Sequence, residues 1–159
     1  MYHSLSFQTL DANDTPIRVF NTYRDLLLVP TSRPMISTPS VKTHYVDIPG
    51  AYGSLDLTES LAGRVLYGNC TGSIEFAIYS DAIEWITLYN RMLDYIHGKK
   101  AHMVLEDAPT LVYEGRWAMD GWSPNEGLLP HVTLSYNLEP FAKSINEVSG
   151  LANAIANSW

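Results

Sequence analysis

The sequence predicts a mainly β domain with one amphipathic helix and a projecting proline-rich arm. Three observations carry that prediction. Short apolar runs with period-two alternation recur between turn signals along most of the chain. Only Asp81 to His97 has a helical period. Residues 30–47 contain Pro30, Pro34 and Pro39, which forbid helix and weaken any central strand, and their sparse apolar residues define no core face. Short strands with frequent turns indicate a sandwich or barrel. The chain has 159 residues and no internal repeat, which fits a single domain over residues 1–140 followed by a tail at 141–159.

The elements follow in order. Ser4 to Thr9 and Ile17 to Phe20 read as strands joined by a hairpin turn at "DAND". "DLLLV", Asp25 to Val29, reads as a short buried strand. The arm comes next and leads into "VDIPGAYGSLDLTESL", Val46 to Leu61. Pro49 with Gly50, and then Gly53, break this stretch into a corner between arm and sheet. In "SIEFAIY", Ile74, Phe76 and Ile78 alternate with polar or small residues. The helix has Ser80 or Asp81 as its cap and Gly98 as its stop, and its predicted apolar stripe is Ala82, Trp85, Ile86, Tyr89, Met92, Leu93 and Ile96. Such a stripe packs on a sheet. Ala101 to Leu105 is a strand, and "EDAP" turns the chain into a strand from Leu111 to Met119 with Leu111, Tyr113, Trp117 and Met119 on one face. "GWSPNEG" reads as a loop. The last clear strand alternates Val132, Leu134, Tyr136 and Leu138 against polar partners. The tail reads as a short helix or a docking strand.

A hydrophobic fraction of 46% and a charged fraction of 17% describe a globular chain and not a disordered one. The net charge of −7 argues against nucleic-acid binding driven by phosphate neutralisation. No apolar run approaches the ~20 residues of a membrane span, and the first residues lack the basic and apolar blocks of a signal peptide, so synthesis and start in a cytoplasm are expected. Cys70 is the single cysteine, which excludes an internal disulfide. The motifs of serine hydrolases, zinc proteases, phosphate loops and dinucleotide sites are absent. His3, His44, His97, His102 and His131 are scattered, and Asp47, Asp56 and Glu59 lack the dense oxygen spacing of a calcium loop. No catalytic residue, cofactor or metal ligand is therefore assigned. Trp122 and Trp159 sit in predicted loop or tail, which leaves a carbohydrate-binding module for a bacterial cell surface as the alternative function.

The ordered series "RPMISTPSVKTHYVDIPGAYGSLDLTE", "YIHGKK" and "EDAPTLVYEGRW" resembles the phage distal tail protein family over roughly Ser32 to Pro140. Ala51 and Tyr52 stand where the family commonly has a charged pair. The resemblance implies a tail-tube-like ring domain: a β-sandwich with one helix and a protruding hairpin arm. It implies a structural virion protein forming a homo-oligomeric, hexameric ring at the baseplate of a long non-contractile tail. Its implied partners are itself, the tail tube protein, the tail-tip hub or tail-associated protein, and receptor-binding proteins. No membrane insertion, no catalytic activity and no cofactor are implied. The chain ends about where the family's ring domain ends, so a minimal ring without direct host recognition is expected.

Ring closure requires two different patches per subunit. The arm supplies one set of candidates, Arg33, Met35, Ile36, Val41 and Tyr45. Leu88 and Tyr95 lie seven residues apart beside the predicted stripe, and either the sheet edge or a neighbouring subunit is expected to cover them.

Overall fold

The structure, a computed structural model, describes residues 2–123 and 130–159. It is mainly β, with one long helix. An antiparallel sheet forms the body, in the order β2 (Pro16–Asn21), β1 (Leu5–Leu10), β9 (Lys99–Leu105), β10 (Ala108–Ser123), β11 (His131–Leu138), β8 (Cys70–Ile78) and β3 (Leu28–Pro30). The two ends of this path, β2 and β3, are consecutive in sequence and joined only by Thr22–Leu27, so the sheet curls back on itself. The facing layers of a sandwich are here one hydrogen-bonded path. Its concave side holds the main core, including Phe7, Phe20, Phe76, Met103, Trp117 and Leu134. Phe7 lies edge-on to Trp117 and stacks on Phe20, which ties the centre of the sheet to its β2 edge.

The alternating strands behave as their patterns dictate. Val132, Leu134, Tyr136 and Leu138 are all buried, as are Ile74, Phe76 and Ile78. Three expectations change. "DLLLV" is mostly a turn: Asp25 accepts the Asn21 N–H and donates its own N–H back to Asn21, Leu27 has φ 57°, and the strand starts only at Leu28. In β10 the register shifts between Ala108 and Tyr113; Leu111 is 39% exposed, and Val112 is buried in a second cluster with Val104. Gly121 to Ser123 continue β10 instead of forming a loop, and a second shift near Asp120 brings both Met119 and Trp122 against the core. The rest of the "GWSPNEG" expectation, residues 124–127, lies outside the described residues.

Helix α1 runs Trp85–Tyr95, shorter than expected at its start. Ser80 caps only a preceding turn by accepting the Ala82 N–H at 3.2 Å, and Glu84, the first flanking residue, makes no side-chain cap. The buried face is Leu88, Met92 and Ile96. Relative to the predicted stripe it is rotated by roughly 60° at about 100° per residue. The pull comes from β2: Tyr95 packs on Phe20, and Arg18 lies 4.0 Å above the Tyr95 ring and bonds Asp94. Trp85 and Ile86 are left exposed.

The convex side has its own smaller core. Strand β12 (Lys143–Ser144) pairs with β10, a 3-10 turn follows at Ile145–Glu147, and α2 (Leu151–Ala156) packs Leu151 and Ile155 on Val104 and Val112. Ser158 is buried and its hydroxyl lies 2.7 Å from that of Ser6. Residues 141–159 therefore close the second face of the sheet. At Gly115 an added Cβ would stand 2.2 Å from the Asn137 carbonyl oxygen, so β10 and β11 approach closely there only because that residue is glycine.

Candidate functional site

No residue between Pro34 and Cys70 is buried. Within this excursion two short ladders form. Strand β4 (Val41–Lys42) pairs with β7 (Leu66–Tyr67), and β5 (Tyr45–Asp47) pairs with β6 (Ser54–Asp56). The arm is thus a two-stranded ribbon whose outgoing half matches residues 30–47 and whose returning half is the stretch expected to form a corner. Gly50 and Gly53, at φ 83° and 71°, make its tip, where L side chains fit poorly.

Cross-strand partners share a face, and successive pairs alternate. Tyr45 with Asp56 and Asp47 with Ser54 therefore lie on one face, and Val46 with Leu55 on the other. One face is acidic and the other apolar. The carboxylates staple turns: Asp47 accepts from the Ser54 hydroxyl, and Asp56 accepts the Thr58 N–H at 2.9 Å and its hydroxyl. The Thr58 side chain, and then its backbone N–H, holds the Asp56 carboxyl below its usual range. Thr58 also accepts the His44 N–H, so its hydroxyl links the two halves of the ribbon.

The root is fixed to the body by polar contacts. Ser37 donates its N–H to the Tyr136 hydroxyl at 3.0 Å and its own hydroxyl to the Thr71 carbonyl at 2.8 Å. Asn69 donates to Asn137 at 2.8 Å, and Tyr67 meets Phe141 edge to face. Arg33 donates to Asp107 at 2.8 Å, and Asp107 also meets His3 at 2.7 Å. His3 first, and then Arg33, lower the Asp107 carboxyl.

The sequence candidates separate accordingly. Met35, Val41 and Tyr45 are exposed. Arg33 is engaged by Asp107, and Ile36 packs partly against the main core. Leu88 is 1% exposed within the single chain, and Tyr95 packs beside it on the body. Of the two coverings expected for this pair, the chain's own sheet supplies one. Sequence reasoning missed Tyr52 and Leu61, both fully exposed, and Leu55, which is half-exposed. The available signal was large apolar side chains set inside glycine-broken, acidic turns.

Elsewhere, Glu114 is nearly buried between Lys143 at 2.9 Å and Lys100 at 3.1 Å, with His102 3.7 Å away. Burial pushes the Glu114 carboxyl up, and the ammonium groups of Lys143 and Lys100 outweigh it, leaving the group below the usual carboxylate range. Burial raises the Cys70 thiol and lowers the His102 imidazole. Among the described residues no three His, Cys, Asp or Glu side chains converge as a metal-ligand set. A groove of about 420 Å³ lies between the end of β8 and the start of α1, lined by Ile78, Tyr79, Ile83, Trp85, Leu88 and Pro130.

In three dimensions the chain is similar to the SPP1 Dit protein (gp 19.1), whose crystal structure was described as a paradigm of the hub adsorption apparatus in phages infecting Gram-positive bacteria. The TM-score is 0.54 at 15% identity, over 88% of this chain and 52% of that one. At that identity the likeness is one of fold. The chain spans about half the length of SPP1 Dit. No family model matches the sequence, and no curated protein matches it.

Proposed function

We propose that the chain is a structural subunit of a phage tail tip, assembling with copies of itself into a ring, a hexamer by family resemblance. The ring would join the tail tube protein to the tail-tip hub and seat receptor-binding proteins. One observation carries the reading: a root-anchored ribbon whose apolar residues have no core of their own. Such a surface on a single chain marks an interaction site. Its use between copies is heterologous, arm to body, which closes into a ring when the rotation permits. The fold likeness to SPP1 Dit supports the same reading, as does the ordered sequence resemblance. A net charge of −7 suits a wall past which DNA moves without being held.

Purified protein should show rings by negative-stain microscopy. A variant with Val41 to Tyr67 replaced by a short glycine-serine linker should keep β-rich far-UV circular dichroism and sediment as a monomer. An armless variant that runs like the intact oligomer would show that the arm is not the main joint.

A further inference from the structure

The geometry points to where the arm docks. We infer that its Val46–Leu55 face seats on a second copy of the chain, in the apolar groove between the end of β8 and the start of α1. This inference rests on the ring reading and adds the receiving surface to it.

Placement comes first. The arm leaves the body beside Cys70, Thr71 and Asn69, at one end of β8. The groove begins at Ile78, at the other end. Eight residue steps at about 3.3 Å separate the two ends by roughly 26 Å. The arm's root contacts, Ser37 with Thr71 and Asn69 with Asn137, lie at the Cys70 end, a strand's length from its own groove. Donor and receiver at opposite ends of one strand make a head-to-tail contact between copies.

Chemistry fits as well. The groove is walled by Tyr79, Ile83, Trp85 and Leu88, and Trp85 is 53% exposed in the single chain. Its rim carries the carboxylates Asp81 and Glu84. Were the ribbon seated on its other face, Asp47 and Asp56 would be driven against those carboxylates. With Val46 and Leu55 inward, the arm's carboxylates face away. Lys42 and Arg64 lie farther down the arm, and among the described residues neither they nor Asp81 and Glu84 make an ion pair. Docking along the arm's length brings these unpaired charges of opposite sign to one interface, which favours the correct partner face.

Paired cysteines test it. Leu55→Cys combined with Trp85→Cys, with the buried Cys70 left in place, should give under mild oxidation a ladder of covalent multimers on a non-reducing gel. Reductant should collapse the ladder. The control, Asp56→Cys combined with Trp85→Cys, samples the acidic face and should give none. Rings by microscopy without a ladder from the first pair would overturn the groove assignment and leave the ring reading standing, with another occupant in the groove. Equal ladders from both pairs would overturn the choice of face. Neither rings nor ladders would sink both readings. Trp85→Lys, checked for native circular dichroism, gives a second readout: it should abolish rings, and intact rings would count against the inference.

Discussion

Strand β11 and the arm strand β5 are both antiparallel and both carry large apolar side chains, yet they have opposite fates. Strand β11 is paired on both sides, by β10 and β8, and buries Val132, Leu134, Tyr136 and Leu138. Each such side chain contributes about 1.5–3 kcal/mol of burial. Strand β5 has one partner, β6, and every residue of both is exposed. An isolated two-stranded ribbon is marginal in water. The difference teaches that backbone pairing sets the shape of both regions, whereas side-chain burial stabilises only one. The arm's apolar residues therefore await a covering that the single chain does not give them.

The contrast can be broken from either side. The largest effect belongs in the body. Phe7→Ala removes a ring that touches both Phe20 and Trp117 and should cost about 3–5 kcal/mol, read as a lowered urea midpoint. A cost below about 1 kcal/mol would mean that the core is less closely packed than described.

An intermediate effect lies at Glu114, which ties Lys143 of the closing segment to the sheet. Glu114→Gln should destabilise by about 1 kcal/mol at neutral pH, because Lys143 is partly solvated. The folded carboxyl titrates below its unfolded counterpart. Its stabilisation is therefore present above the usual carboxylate range near pH 4.3 and is lost as pH falls through the depressed folded value. Amide exchange across residues 143–156 should accelerate in that acid window in the native protein, with a smaller pH response in the Gln variant. Identical pH responses would remove Glu114 from this role.

The smallest effect on stability should come from the arm tip. Tyr52→Ser should change the unfolding free energy of the single chain by less than about 0.5 kcal/mol, since the side chain is fully exposed. A loss above 1 kcal/mol would mean that the tip is already supported within one chain.

Much of the body was legible in the sequence because burial writes a period into it. The β1–β2 hairpin, β8 and β11 carry that period plainly. The arm's returning half does not: nothing in β6 or β7 is buried, so no pattern marks those residues as strand, and they read as a corner. Leu111 was expected to join the core beside Tyr113 and Trp117, and it is 39% exposed at the irregular start of β10, which a strict period of two cannot anticipate. The helix was visible, but its buried face was decided by Phe20 and Arg18, far away in sequence. Of the candidate site, Met35, Val41 and Tyr45 lie exposed, while Ile36 packs partly against the main core and Leu88 lies within it.

The arm also sets how the chain must find its fold. It is an insertion between β3 and β8, which pair through Pro30 and Phe76. Before that contact can form, the ends of the intervening segment must meet, and the entropy of doing so grows with its length. Replacing Val41 to Tyr67 by a short linker cuts the segment to roughly half, which lowers the closure cost by about 0.6 kcal/mol. If this pairing belongs to the folding nucleus, the armless chain should refold up to about threefold faster than the intact one with little change in its unfolding rate. The ribbon would then be a kinetic burden on each chain as it folds, tolerated for what it does once folding is over.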